Sequence, residues 1–458
     1  MKQLVTLSLL LSTCITFAQT TQMIGNTAVE IDTIASGLNI PWEICVDSNQ
    51  QYLWVTERIG TVRRIDLATG ENVVVLDYTD NVEAYGEGGM LGMALHPEFE
   101  SNPWVYLAYC YGPRDANNYF FERVSRFQYN GTSLVNEEIL VDSIGAYGNH
   151  NGSRLLFLHD GTLLMSTGDH NVQSTAQDST SLNGKFLRLN ADGSIPSDNP
   201  DPESYVYTSG HRNPQGVFQF ASGKIISSEH GPDSDDELNF IEAGKNYGWP
   251  LIYGFCDEPF EDAPCATLLY TEPKYHWTPT IAPNDLIYYD NSAFPEWNTR
   301  LLMTSLKDET LYAIQLEFTG DNELGENVTD VDTYFNQQFG RLRDIAVDSL
   351  KRIYLATNSG NAGTQAIIRL TPPNTLSVSE HSLSTTTVFP NPATKEFAVR
   401  GEFENLVILD AYGRVISEIE GPGTKLTWID VAHLSAGSYM VKVKTMGGDY
   451  ESLILQKI

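Results

Sequence analysis

The feature that most constrains this chain is one short pattern repeated six times: a polar turn, then an apolar strand that ends in polar residues. The copies are DSNQQYLWVTER (47–58), EFESNPWVYLAYCY (98–111), LHDGTLLMSTGD (158–169), FASGKIISSEHG (220–231), FPEWNTRLLMTSLK (294–307) and VDSLKRIYLATNSG (347–360). Counted from Asp47, Glu100, Asp160, Ser222, Glu296 and Ser349, the steps are 53, 60, 62, 74 and 53 residues. Each step has room for four short strands, with Gly, Asp, Asn and Pro as turn residues between them. The pattern predicts an all-β fold, a six-bladed β-propeller over residues 30–371. A large β-sandwich is the alternative, but it gives no reason for so regular a repeat. Equivalent strand ends in a propeller open onto one face. Here they carry Glu57 and Arg58, Gly168 and Asp169, Glu229 and His230, Ser305 and Lys307, and Asn358, which places polar groups where a ligand pocket lies. Taken singly, each is explained as well by a strand end meeting solvent.

The flanking segments differ in kind. Lys2, the mostly apolar run Leu4–Ile15 and the small residues before Gln19 read as a secretory signal peptide over residues 1–18, too short for a permanent membrane span. A lipoprotein signal ending at Cys14 is the rival, and Thr13 is a poor residue before a lipidated cysteine. The stretch 372–387 is rich in Ser, Thr and Pro and reads as a linker. Alternating runs then fill 388–458 and predict a small C-terminal β-sandwich of about seven strands. Four cysteines follow the signal, and Cys256 with Cys265 is the better disulfide pair; Cys45 and Cys110 sit in strand-like runs.

The chain carries 59 acidic against 28 basic residues, a net charge of −31. That balance excludes nucleic acid and anionic membrane surfaces as partners, since both need clustered Lys and Arg. No other apolar run is long enough for a membrane span. G-x-S-x-G, P-loop and H-E-x-x-H patterns are absent, and GEGGMLG (86–92) is not a dinucleotide fingerprint.

Three stretches carry groups suited to chemistry. In GNHNGSRLLFLHDGTLLMSTGD (148–169), His150 sits in a Gly/Asn-rich loop, where a histidine is the natural base near neutral pH, flanked by Asn149 and Asn151. Considered alone, a structural histidine is the simpler reading. In YTSGHRNPQGVFQF (207–220), Arg212 and Asn213 lie in a turn. The run Asp233, Asp235, Asp236, Glu237 lacks the glycine and distal glutamate of an EF-hand, which leaves other calcium geometries open. Lys307, Arg341 and Arg343 complete the set; the two arginines at i and i+2 of an extended segment share a side. Together with Arg212 they favour a multiply charged carboxylate anion.

Taken together, GKFLRLNADGSIPSDNP (184–200), YTSGHRNPQG (207–216), SEHGPDSDDELNFIEAGKNYGWP (228–250), PTIAP (279–283) and the Arg341/Arg343 pair resemble the soluble pyrroloquinoline quinone (PQQ)-dependent glucose and aldose sugar dehydrogenases. The resemblance implies oxidation of an aldose at its anomeric carbon, with an external electron acceptor. It implies His150 as the base, Arg212 beside the reacting carbonyl, and Arg212, Asn213, Lys307, Arg341 and Arg343 as contacts to PQQ. Calcium would rest on the main-chain oxygens of Gly231 and Pro232, with further ions at Glu237, the Tyr247 carbonyl and Asp257. Two residues depart from the pattern: Asn149 stands where the glucose enzyme has aspartate, and Glu87 where the family has glutamine. Gln173 and Trp277 are the candidates for sugar contact, and the shortened loop after Asp169 implies broad aldose specificity. A carbohydrate-binding propeller and a calcium-dependent lactonase are the rival readings. FPNPA (389–393), DAYGRVI (410–416) and DVAHLSAGSYMVKV (430–443) resemble the sorting domain of the type IX secretion system, which implies that machinery as a partner and export through the periplasm.

Overall fold

The computed structural model describes residues 20–318, 324–359, 363–373, 387–389, 391–400, 403–409, 414–421, 426–445 and 450–458. The expected signal peptide and most of the expected linker lie outside the described residues. The chain divides into two compact units, Met1–Thr375 and Leu376–Ile458. Strands dominate both; one short α-helix, Asp262–Thr267, is described. No helix among the described residues is long and apolar enough to cross a membrane.

The described residues of the first unit form six sheets, five of four strands and one of five. Their innermost strands are Pro41–Val46, Met90–Leu95, Gly152–Phe157, Pro214–Gln219, Pro283–Tyr289 and Leu342–Val347. Each packs against the innermost strand of the next sheet, and the sixth packs against the first. The second strands explain why the sequence reads as continuous apolar runs rather than simple alternation. In Tyr52–Glu57, Trp54 faces the cluster shared with the second sheet, whereas Leu53 and Val55 face the cluster shared with the sixth. In Leu163–Thr167, Leu163 and Met165 face one neighbour and Leu164 the other. Both faces of every sheet are covered, so both sides of the pleat are apolar.

The ring closes without a covalent link. Strand Thr27–Leu38 pairs antiparallel with Gln365–Thr371, from Glu30 opposite Thr371 to Leu38 opposite Gln365, so the sixth sheet is assembled from both ends of the unit. The six turns picked out by the repeat each join a first strand to a second. Where first strands begin, second strands end: Pro41 opposes Glu57, Gly152 opposes Thr167, Pro214 opposes Glu229, Pro283 opposes Ser305 and Leu342 opposes Thr357. Residues following those second strands therefore gather on one face.

Just inside that face the inner strands bury charge. Arg154 is 2% exposed and reaches Glu43 at 2.6 Å, Asp344 at 2.7 Å and Asp285 at 3.6 Å. Its Nε donates to the Gln215 carbonyl at 2.8 Å, and the guanidinium lies 4.4 Å from the centre of the Trp42 ring. Burial pushes Glu43 up to about 8 and raises Asp285 and Asp344 as well, against the pull of the one guanidinium. Five inner strands are thereby tied at the centre, four of them by charge, and loss of either sign would leave an uncompensated buried charge.

The second unit has seven described strands in a three-stranded and a four-stranded sheet. Phe397, Val399 and Ile429 from the first share one core with Leu406, Ile408, Val441, Val443 and Leu455 from the second. In the first unit, Cys256 and Cys265 form a disulfide, while Cys45 and Cys110 are free.

Glu122 gives this fold a pH dependence. It is fully buried, accepts one hydrogen bond from Ser153 Oγ, and is pushed by burial from 4.5 to about 8. The native state thus keeps a proton that the unfolded chain releases near 4.5, and this contribution is lost as pH rises through about 8. The thermal midpoint should fall between about pH 4.5 and about pH 8, and Glu122→Gln should make that fall smaller, as scanning calorimetry will read.

Candidate active site

His150 lies in the turn leading into the inner strand Gly152–Phe157, at a positive φ of 57°. Its carbonyl accepts the His170 N–H at 3.0 Å, which packs the turn onto the end of the neighbouring strand. A Cβ on Gly168 would fall 2.0 Å from the His150 oxygen, so only glycine permits this approach. The ring is oriented by Asp169, whose Oδ1 lies 2.8 Å from His150 Nδ1. Asp169 is itself fully buried and also accepts the Asn171 N–H at 2.8 Å and the Trp249 indole N–H at 2.9 Å. With Nδ1 committed to a carboxylate, Nε2 is left to exchange a proton.

Arg212 and Asn213 are placed by Glu229, whose Oε1 accepts both of their backbone N–H groups. Arg212 donates to the His230 carbonyl at 3.2 Å and lies 5.4 Å from the centre of the Trp249 ring, while its buried Nε has no hydrogen-bond partner. Burial lowers its proton affinity. The Asn213 amide is spent internally: Oδ1 accepts from Gly152 N and Gln215 Nε2, and Nδ2 faces His230 Nδ1 at 3.4 Å. His230 sits beside Arg343 and Arg212, and burial plus those cations pushes it down to about 3. It is therefore neutral, with Nε2 donating to the Pro283 carbonyl at 2.8 Å.

Arg343 is 7% exposed. Nη1 donates to Gln215 Oε1 at 3.0 Å. With the Asn358 amide turned so that its oxygen faces the guanidinium, Nη2 and Nε donate to it at 3.0 and 3.2 Å. No carboxylate lies within ion-pair distance of Arg343 among the described residues. Burial lowers it from 12.5 to about 9; Glu87 opposes that shift, and Arg154, Arg341 and Arg58 add to it. Arg341 is half-buried at the mouth; Lys307 is exposed there and donates to Thr280 Oγ1 at 2.6 Å. The Lys307 N–H also donates to the Ile281 carbonyl, on the turn that carries Pro283 beside His230.

Glu87 is exposed, and its charge acts on Arg58, Arg212 and Arg343. Its backbone N–H donates to the Gly148 carbonyl at 2.7 Å, which sets it beside Asn149. A Cβ on Gly86 would fall 2.1 Å from that carbonyl. Gly231 begins the acidic loop, donating its N–H to Asp236 Oδ1 at 2.7 Å. Asp236 Oδ2 holds the backbone of Ile281 and Ala282, and burial raises it to about 6. Among the described residues the carbonyls of Gly231 and Pro232 accept no hydrogen bond.

The remaining candidates are placed apart from this cluster. Glu237 is buried, accepts from Gly254 N and Asn239 Nδ2, and is pushed to about 8 by burial and by Glu229. Asp257 lies in the loop closed by the disulfide, and Tyr247 packs its ring on His211. No group of three or more His, Cys, Asp or Glu side chains among the described residues is arranged to hold a metal ion. Gln173 is exposed on the short 3-10 turn Gln173–Ala176. Trp277 is 8% exposed and packs among Leu238, Met303 and Tyr312 in the core between the fourth and fifth sheets. Sequence reasoning did not assign roles to Asp169, His230, Trp249 and Gln215; for the first two the signal was present, since both sit at the recurring strand ends.

A buried cation held by neutral amides costs the ligand-free fold stability. Replacing Arg343 with Met should raise the thermal midpoint of the chain purified without ligand by about 2 °C or more, on the order of 1 kcal/mol, as calorimetry will measure.

Residues 38–369 match the Glucose / Sorbosone dehydrogenase family, and residues 387–456 match the Secretion system C-terminal sorting domain. An uncharacterized protein of Synechocystis, slr1608, is 32% identical over 72% of this chain and 84% of its own length. The aldose sugar dehydrogenase YliI of Escherichia coli is 27% identical over 76% of this chain and 94% of its own. The solved structure of the PQQ-bound aldose sugar dehydrogenase from Streptomyces coelicolor superposes with a TM-score of 0.64 at 29% identity, covering 75% of this chain and 98% of that one. The chain thus has a β-propeller-like all-β body followed by a sorting domain, and it belongs to the glucose/sorbosone dehydrogenase family of oxidoreductases.

Proposed function

We propose that this protein oxidises aldose sugars at the anomeric carbon to lactones, using PQQ and calcium, on a six-bladed propeller carrying a C-terminal sorting sandwich. The observation that carries the reading is Arg343, a buried guanidinium hydrogen-bonded among the described residues only by neutral amides, beside Arg341 and Arg58. Such a group is stable only when an anion compensates it. Arg212 adds a buried Nε without a partner, and Lys307 adds an exposed ammonium. PQQ is a tricarboxylate, and its charge fits this set; Arg341, Arg343, Lys307 and Arg212 would hold it. Glu87 opposes the cofactor's charge, and the three arginines around it offset that cost.

The carbonyls of Gly231 and Pro232 would ligate calcium, since they are unclaimed and stand in an acidic loop. Further ions would use Glu237, the Tyr247 carbonyl and Asp257. When bound, PQQ and calcium supply a polarised two-electron acceptor for the hydride leaving the sugar carbon. The chain's part is the proton. His150 Nε2 takes it from the anomeric hydroxyl as the C–H bond gives up its electron pair and the lactone C=O forms. Asp169 holds the ring in the required tautomer and stabilises the imidazolium. Asn149 carries no charge and orients a hydroxyl. Asn213 and neutral His230 keep the turn before Gly152 in place. Gln173 contacts sugar; Trp277, packed in the core, would act by bracing the fifth sheet. The sorting domain supports export by the type IX machinery through the periplasm.

Reconstitution of the mature chain with PQQ and calcium tests this directly. Aldose-dependent reduction of an artificial dye should require both additions and fall about 100- to 10,000-fold in His150→Ala. PQQ binding without turnover would leave a binding propeller, and absence of binding would refute the reading.

A further inference from the structure

We infer that Trp249 is a positioning residue for the proton acceptor, its indole N–H fixing Asp169 and, through Asp169, the ring of His150. The inference rests on the reading of His150 as the base. Asp169 Oδ1 has two partners, His150 Nδ1 and the Asn171 N–H, each at 2.8 Å. Oδ2 has one among the described residues, the Trp249 indole N–H at 2.9 Å. The carboxylate is fully buried, so no water substitutes for that donor.

The indole is itself locked. The Trp249 backbone N–H donates to the Gly210 carbonyl at 3.1 Å, and the Trp249 carbonyl accepts from Gln177 Nε2 at 2.7 Å. Gln177 is braced in turn by Asn246, whose Nδ2 donates to its Oε1 at 2.7 Å. One face of the ring meets the Arg212 guanidinium. A tryptophan buried only for its bulk needs no such bond: the indole nitrogen of Trp54 is buried with no hydrogen-bond partner among the described residues. Trp249 is 6% exposed, and its single polar atom points at the one carboxylate that orients His150.

Removing the N–H has a defined sign. Without it, Oδ2 is a desolvated anion, and the unprotonated His150–Asp169 pair loses more than the protonated pair, in which the negative charge is compensated. The pair should therefore take up its proton at higher pH. The other charged and titratable groups facing it are Arg212, itself beside Glu229, and His230 from the adjoining sheet and His170 on the following turn. Of these only Arg212 meets the ring at 249, and phenylalanine keeps an aromatic face against it. A role confined to packing would lower stability and leave the titration in place.

The test is an NMR titration of the histidine ring resonances in the full, cofactor-free chain, with His150 assigned by its absence in His150→Ala. Trp249→Phe keeps the ring's apolar body and removes the donor; its His150 midpoint should rise by about one pH unit, a tenfold change in proton affinity. Should the phenylalanine leave too much space for the chain to fold, a benzothienylalanine at 249 keeps the bicyclic shape without the N–H and decides the matter. An unshifted midpoint in a folded variant overturns the inference. In the reconstituted enzyme, Trp249→Phe should lower kcat about tenfold with the sugar KM unchanged, and move the acid limb of the kcat profile to higher pH. Because the titration is read without cofactor, it fails or succeeds independently of the dehydrogenase reading, which absence of aldose oxidation by the unmodified chain would refute alone.

Discussion

Everything else in the first unit depends on the pairing of Thr27–Leu38 with Gln365–Thr371. Without it the sixth sheet loses its outer strands and the ring of inner strands has no reason to stay closed. Closure makes the site possible because it constrains direction. Each inner strand starts at the same face, so each second strand ends there, and the six sheets deliver their polar strand-end residues to a common mouth. One interaction between the two ends of the unit thus organises groups that are more than two hundred residues apart, such as Arg58 and Arg343, whose charges act on each other.

Beneath the mouth, the fold holds charge in two different ways. Arg154 is matched by three carboxylates and stitches four inner strands together. Arg343, the residue before Asp344 on the same strand, is held by Gln215 and Asn358 and has no carboxylate partner among the described residues. Trp42 lies against both guanidiniums, at 4.4 Å from Arg154 and 5.7 Å from Arg343. The first arrangement stabilises the chain by itself. The second leaves stabilisation to whatever anion arrives, the usual signature of a site in which stability is traded for binding.

Much of this was legible in the sequence because turns and strand periodicity are local. The six polar turns fall between first and second strands, and the Cys256–Cys265 pair forms as its loop suggested. His150 and Arg212 lie in one neighbourhood because each sits two residues before the matched start of an inner strand, at Gly152 and Pro214, and Arg343 lies at the start of another. What escaped was set by contacts between sheets. Nothing local says that Trp249 reaches Asp169 across eighty positions, or that Gln215 meets Arg343. Trp277 was a candidate for sugar contact by resemblance, yet its strand pairs Trp277 with Asp236 and the ring packs in the core. A one-residue change of register decides which face a strand residue takes, and composition does not carry register.

The most direct measurement is a crystal structure of the chain grown with PQQ and calcium. The expected result is PQQ with its carboxylates on Arg341, Arg343 and Lys307, calcium on the Gly231 and Pro232 carbonyls, and His150 Nε2 facing the reacting carbonyl. A structure in which Arg343 keeps only its amide partners while the cofactor lies elsewhere, or does not bind, would contradict the account.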